Sequence, residues 1–255
     1  MTAVDFLQAR APQGVRLYAI GDVHGRFDLL SAMHERIAAD VERDKPFDWR
    51  VIHLGDYIDR GPDSRRVLDF LIAAKQRDDR AITLTGNHEL GLLDFLANPD
   101  PDALFVRYGG VETARSYGVE LLRDGSVAQG HRDLLAALPR SHLEFIRSLA
   151  FSFEAGDFFF CHAGVRPGIA LAQQSNRDLT WIRDEFLNDG SLHGKIVVHG
   201  HTPVQQPDVR RNRVNLDTYA CGSGRLTALR VDGAVKQILT VSDDGRFQRR
   251  DAVTP

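Results

Sequence analysis

An α/β fold, built as an αββα sandwich of two packed mixed β-sheets with helices outside, is what this sequence predicts, and three observations predict it. Five short β-rich runs each end in glycine and in side chains that ionise or bind metals. Helical periodicity separates the first three runs at the spacing of βαβ units. The C-terminal third carries hairpin signals. Two sheets packed face to face use all of these elements. No repeat, low-complexity tract or Pro/Gly/Ser-rich linker divides the chain, so residues 1–255 read as a single domain.

In order, Val15–Ile20 runs into Gly21-Asp22-Val23-His24-Gly25. Leu30, Met33, Ile37 and Val41 then recur at helical spacing. Arg50–Leu54 runs into Gly55-Asp56-Tyr57-Ile58-Asp59-Arg60-Gly61. A second helix follows on Val67, Leu68, Leu71 and Ile72, with Ser64 as its expected N-cap. Ala81–Thr85 runs into Gly86-Asn87-His88-Glu89. Asp22, Asp56 and Asn87 are spaced at about 30 residues, the length of a βαβ unit, which makes these strands parallel neighbours. Their carboxyl ends share one sheet edge, where open α/β sheets bind ligands.

Residues 90–150 interrupt the alternation as a mainly helical excursion, in which Ser141-His142-Leu143-Glu144 fits a capping box. Strands return at Phe151–Glu154 and Phe158–Cys161, a hairpin around Gly156, with the second running into His162-Ala163-Gly164. Lys195–Val198 runs into His199-Gly200-His201-Thr202. Leu226–Val231 and Val235–Val241 flank the turn signal Asp232-Gly233.

Composition excludes several classes. The 255 residues are 43% hydrophobic and 26% charged, an ordinary soluble balance. Lys+Arg 32 against Asp+Glu 35 leaves no basic excess for general phosphate-backbone binding, so no nucleic-acid partner is expected. No apolar window reaches the roughly 18 residues of a membrane span, and the N-terminus lacks a signal-peptide pattern. Two cysteines make no disulfide framework, and a cytoplasmic location is expected.

The strand ends carry the chemistry. Asp22, His24, Asp56, Asn87, His162 and His201 offer two carboxylates, one amide and three imidazoles. Oxygen and nitrogen donors without thiolate suit Mn, Fe or Zn. Six donors exceed what one four-coordinate catalytic ion needs and suffice for two divalent ions sharing a carboxylate. Such a pair stabilises both oxygens of an in-line displacement at phosphorus and acidifies a water.

The three long motifs, continued by His162-Ala163-Gly164 and Gly200-His201-Thr202-Pro203, resemble calcineurin-like metallophosphoesterases. More narrowly they resemble the phosphoprotein phosphatase branch in its bacterial and phage type, typified by the lambda phage phosphatase. The likeness to symmetrical diadenosine tetraphosphatases is looser. It spans Asp22 to about Arg230. The resemblance implies a metallophosphoesterase-type sandwich with two divalent metals, most simply manganese. Asp22 and His24 would bind the first, Asp56 would bridge, and Asn87, His162 and His201 would complete the second. His88 would be the general acid, oriented by Asp59. Arg60 and Arg183 would hold phosphate, with Asn87 also facing substrate. A guanidinium fork matches phosphate geometry.

Departures matter as well. Leu216-Asp217-Thr218-Tyr219-Ala220-Cys221 stands where eukaryotic relatives carry Ser-Ala-Pro-Asn-Tyr-Cys. Gly200-His201 is followed by Thr202 and Pro203, so the last histidine of the Gly-His-x-His pattern common in diesterases and nucleases is absent. His199 fits either a pocket role or packing. His53 reads as a core histidine, and His34, His131, His142 and His193 read as solvated. Cys161 reads as a buried thiol, and Arg210-Arg211-Asn212-Arg213 as a solvated loop. The leading expectation is a serine/threonine protein phosphatase acting on a phosphorylated protein or small phosphoester through hydroxide formed at the metals. A dinucleoside polyphosphate hydrolase with the same site is the alternative, and an inactive scaffold is remote.

Overall fold

The computed structural model describes residues 4–253. Strand β1 (Val15–Ile20), helix α1 (Phe27–Asp44), β2 (Asp48–His53), α2 (Ser64–Arg77) and β3 (Ala81–Thr83) form two successive βαβ units. The helical segment follows as α3 (Asn87–Ala97), α4 (Leu104–Arg107), α5 (Gly110–Ser116), α6 (Ala128–Ala137) and α7 (Arg140–Arg147). The remainder is β4 (Ser152–Ala155), β5 (Phe158–Cys161), α8 (Asn176–Trp181), α9 (Asp184–Leu187), β6 (Ile196–His199), β7 (Asp208–Val209), β8 (Arg213–Asn215), α10 (Ala220–Ser223), β9 (Arg225–Asp232), β10 (Val235–Ser242) and β11 (Phe247–Asp251).

The strands make two mixed sheets, one in the order β11-β10-β9-β1-β2-β3 and the other β4-β5-β6-β8-β7. As expected, β1, β2 and β3 are parallel neighbours, and β4–β5 and β9–β10 are antiparallel hairpins. The period-2 side-chain alternation builds the layers. Leu17 and Ala19 of β1 meet Phe158 and Phe160 of β5 and Ile196 and Val198 of β6 in the core between the sheets. Tyr18 and Ile20 face the opposite way, onto α1, α2 and the 87–149 helices. On the second sheet, Phe159, Cys161 and Val197 pack outward onto Leu179, Ile182 and Phe186 of α8–α9. Both faces of the central strands are therefore buried, which is why they read as near-continuous apolar runs. No helix among the described residues is long and apolar enough to cross a membrane.

Several local expectations fail. Asp63, not Ser64, stands at the N-cap of α2, without a side-chain cap bond. The Ser64 hydroxyl instead turns to the Asp59 amide (3.2 Å) and to Thr113 (3.0 Å). Helix α7 starts at Arg140, after Pro139, so Ser141 is inside it and caps nothing. The histidines expected in solvent are mostly drawn in. His142 is buried between Tyr117 (2.7 Å) and Asp69 (2.9 Å). His34 meets the core residue His53 at 2.9 Å, His131 meets the Leu96 carbonyl at 3.0 Å, and His193 packs on Phe186. In the 210–213 cluster the first two arginines are exposed, but Asn212 and Arg213 are buried. Ser64, His34, His131 and His142 find partners distant in sequence, which local pattern does not encode.

Candidate active site

The carboxyl ends of β1, β2, β5 and β6, together with the start of α3, converge on one edge of the sandwich. Each strand ends in a turn too tight for ordinary backbone. Of the eight non-glycine residues with positive φ among the described residues, five are predicted site residues: His24 (43°), Asp56 (52°), Asp59 (72°), Arg60 (65°) and His201 (67°). Left-handed backbone at non-glycine residues carries strain, and it clusters where geometry is imposed. Two glycines leave room for the carboxylates. A Cβ on Gly86 would come within 2.1 Å of Asp56 Oδ1, and one on Gly200 within 1.9 Å of Asp22 Oδ1.

Two donor clusters share Asp56. His24, Asp56 and His88 bring ligand atoms together on one side, and Asp56, His162 and His201 do so on the other. Asp56 Oδ2 lies 3.5 Å from His24 Nε2, and its Oδ1 lies 3.3 Å from His162 Nε2. The Asn87 amide oxygen sits between His162 Nε2 (3.0 Å) and His201 Nδ1 (2.8 Å). Asp22 accepts the His201 amide through Oδ2 at 3.0 Å. Its Oδ1 is buried without a hydrogen-bond partner, and a buried orphan acceptor is costly unless a cation satisfies it.

The imidazoles are oriented from behind. His24 Nδ1–H donates to the Ile58 carbonyl (2.8 Å) and His162 Nδ1–H to the Leu54 carbonyl (3.0 Å). That turns each Nε2 inward, where a metal ligand must stand once any proton on it is displaced. Burial pushes His24 down to about 3 and His201 down to about 2, so both are neutral donors. Burial also opposes charge on His162, but Asp56, Asp22 and Glu89 outweigh it and raise it to about 9. Asp56 is likewise disfavoured by burial, yet the surrounding His162, His88 and His24 hold it well below the carboxylate range. The oxygen and nitrogen donor set, the shared carboxylate and the orphaned Asp22 oxygen all fit a pair of divalent cations.

Three more predicted residues join the centre. His88 Nδ1–H donates to Asp59 Oδ2 at 2.7 Å. Burial disfavours its charge, but Asp56 and Asp59 raise its pKa above the ordinary histidine value. The Arg60 guanidinium reaches His24 Nε2 (3.0 Å) and His88 Nε2 (2.9 Å), and Arg183 Nε reaches His201 Nε2 (3.0 Å). Each donor cluster is thus flanked by one arginine. His88 comes close enough to Asp56 to count among the first cluster's donors, although its Nδ1 is already committed to Asp59.

Glu89, Thr113 and Asp217 carry no role in the sequence reading, which leaves Tyr108-Gly109-Gly110 as either a turn or a shaper of the cleft. Glu89 is buried and accepts the amides of Asp56 (2.9 Å), Tyr57 (2.7 Å) and Gly86 (2.9 Å). It ties the Asp56 turn to the head of α3. The Gly86-x-x-Glu89 spacing, half of a capping box, is the signal that marks it. Thr113 donates to Asp59 Oδ1 at 2.7 Å and accepts the Asp59 amide at 2.8 Å. Gly109, in the Tyr108-Gly109-Gly110 turn, accepts the Arg60 amide at 3.1 Å. Asp217 is a further buried acid near the centre, pushed by burial up to about 6. His199, by contrast, is buried edge-on against Phe186 and does not reach the donor clusters. Cys161 is buried and its thiol is pushed up by that burial.

The sequence model described as calcineurin-like phosphoesterase matches residues 15–234. The chain belongs to this family. As a metallophosphoesterase it is a metal-dependent hydrolase of phosphoesters, and its two helix-flanked mixed sheets are the family's fold. The chain is 28% identical to the bis(5'-nucleosyl)-tetraphosphatase PrpE [asymmetrical] of Anoxybacillus flavithermus, over 83% of this chain and 88% of that protein. It is 27% identical to the Bacillus subtilis protein of the same name, over 90% and 97%. Among solved structures, a candidate diadenosine tetraphosphatase superposes with a TM-score of 0.61 at 18% identity, over 97% of this chain and all (100%) of that one. A cold-active protein-tyrosine phosphatase of a Shewanella species superposes at 0.55 and 16% identity, over 94% and 83%.

Proposed function

We propose that this metallophosphoesterase hydrolyses dinucleoside polyphosphates, attacking a phosphoanhydride asymmetrically. On sequence alone this reading stands second to a serine/threonine protein phosphatase. The observation that carries it is that relatives matching 83% and 90% of the chain are named asymmetrical bis(5'-nucleosyl)-tetraphosphatases. The site geometry is compatible, because its arginine-flanked centre suits a charged phosphoryl group and requires no protein surface.

Asp22, His24 and Asp56 would hold one divalent cation, and Asp56, Asn87, His162 and His201 the other. When bound, the pair supplies charge neutralisation at the phosphoryl group and an acidified water. Arg60 and Arg183 present guanidinium donors to the phosphoryl oxygens, and Asn87, at the head of α3, would also face the substrate. His88 delivers a proton from Nε2 to the leaving oxygen. Asp59 fixes the imidazole by accepting Nδ1–H, and Thr113 in turn fixes Asp59.

The test is a competition assay of manganese-loaded protein on diadenosine tetraphosphate and phosphoserine peptides. Preference for the dinucleotide, with ATP and AMP as products, supports the reading. Preference for the peptides, or two ADP per substrate, overturns the substrate or the asymmetry respectively. A chelator abolishes turnover and manganese restores it. Arg60→Ala and Arg183→Ala retain both metals and lower kcat/KM by about 10- to 150-fold, the cost of one charge-assisted bond.

A further inference from the structure

Beside the second donor cluster, between α3, α8 and α9, lies a cavity of about 830 Å³. That is within the usual size range of small-molecule sites. Leu90 and Phe151 give it apolar wall, Asn176, Trp181 and Arg183 are part of the lining, and the acids Asp178, Asp184 and Glu185 also line it. Trp181 ends α8. Its neighbours Thr180 and Ile182 are buried, yet the indole itself is 42% exposed. Its ring stands 6.0 Å from the His201 imidazole, edge-on at 75°. Two residues later Arg183 donates to His201 at 3.0 Å. One short stretch therefore delivers a flat apolar surface and a phosphate-type guanidinium to the same side of the centre.

A nucleotide joins those same two features, a flat base and a phosphate. Arg166, also in the wall, is committed to Asp178 and Glu185, so it closes the cavity rather than offering a free charge. Asn176 presents an amide, whose donor and acceptor pair matches the edge of adenine. Resting on the dinucleoside polyphosphate reading, we infer that this cavity is a nucleoside subsite in which one purine of the substrate stacks on Trp181. A base stacked on an aromatic side chain contributes substantially to affinity whatever its sequence.

Two binding measurements and one kinetic measurement test this on the intact protein. The chain has two tryptophans, and Trp49 lies under the Arg80 guanidinium at 4.1 Å, so subtracting the signal of Trp181→Phe, which keeps Trp49, leaves the indole that reports the cavity. Adenosine should quench the fluorescence saturably, and ribose 5-phosphate should not. Equilibrium dialysis with AMP should show affinity lowered about 5- to 150-fold in Trp181→Ala and largely kept in Trp181→Phe. KM for diadenosine tetraphosphate should rise with the same pattern while kcat and bound manganese stay within twofold. No saturable quenching by adenosine, or equal binding of AMP and ribose 5-phosphate, overturns the subsite even if the dinucleotide is hydrolysed. Trp181-dependent AMP binding without dinucleotide hydrolysis keeps the subsite and overturns the substrate reading instead.

Discussion

At the residue scale, His88 and Glu89 are neighbours with opposite tasks. His88 points into the cleft with Nδ1 held by Asp59 at 2.7 Å. A proton matters most when the leaving oxygen is basic, so the loss in His88→Asn should grow with that basicity. It should be about 10²–10⁴-fold for an alkyl phosphate, smaller for a dinucleoside polyphosphate and smallest for p-nitrophenyl phosphate, with both metals retained. Equal losses on all three, or loss of metal, would remove His88 from the acid role. Glu89 points away from the cleft, and its carboxylate gathers amides from Asp56, Tyr57 and Gly86. Glu89→Gln turns an N–H donor toward one of them and leaves it unpaired, a cost of roughly 1–3 kcal/mol. It should weaken manganese binding and lower the melting temperature of the metal-free protein. Wild-type values of both would show that the clamp is dispensable.

At the element scale, the helical segment from α3 to α7 supplies the walls that hold the β2 turn. Its key contact is the α4–α5 junction. Gly109 adopts φ 110°, and a Cβ there would meet the Arg60 amide nitrogen at 2.3 Å. The next residues begin α5, which carries Thr113 to Asp59. The junction thus positions both Arg60 and the Asp59–His88 pair. Gly109→Ala should displace the Arg60 turn at a cost of about 1–3 kcal/mol, seen as a 5- to 150-fold rise in KM with metal content unchanged. Unchanged KM would mean that the turn accommodates the methyl without moving Arg60.

At the scale of the whole molecule, one buried charge joins the layers at the end away from the metal centre. Asp40 of α1 is 1% exposed. It accepts from Tyr18 of β1 (2.5 Å), Arg43 (2.5 Å), Arg230 of β9 (2.9 Å) and Arg249 of β11. Burial opposes its ionisation, but Tyr18, Arg249 and Arg230 outweigh burial and hold its pKa at about 2. A depressed carboxylate pKa stabilises the fold above the unfolded value near 3.8 and loses that contribution as pH falls toward 2. The melting temperature of the wild type should therefore drop across this window. Asp40→Asn strands several guanidiniums, so it should cost on the order of 3–5 kcal/mol at neutral pH and flatten the acid-side drop. A parallel drop in the variant would assign the acid sensitivity elsewhere.

What the sequence by itself determined is what contiguous residues encode. Leu17–Ile20 is apolar on both sides because both faces of β1 are buried there, and Gly21 or Gly55 beside an acid marks a turn tight enough to reach a ligand. Strand ends, parallel order and the six candidate donors at those ends were therefore legible, whereas Asp59, Arg60, His88 and Arg183 were named only through the family resemblance. The tertiary structure alone decided the pairings. Thr113 reaches Asp59 across 54 positions and His142 reaches Asp69 across 73, and a hydroxyl or imidazole looks the same in sequence whether water or a carboxylate meets it. The same holds for Ser64, whose type suits a cap but whose hydroxyl turns to Asp59 and Thr113. The wall around Trp181 belongs to this second kind. Its parts come from α3, β4's approach and α8–α9, so only their convergence makes a cavity.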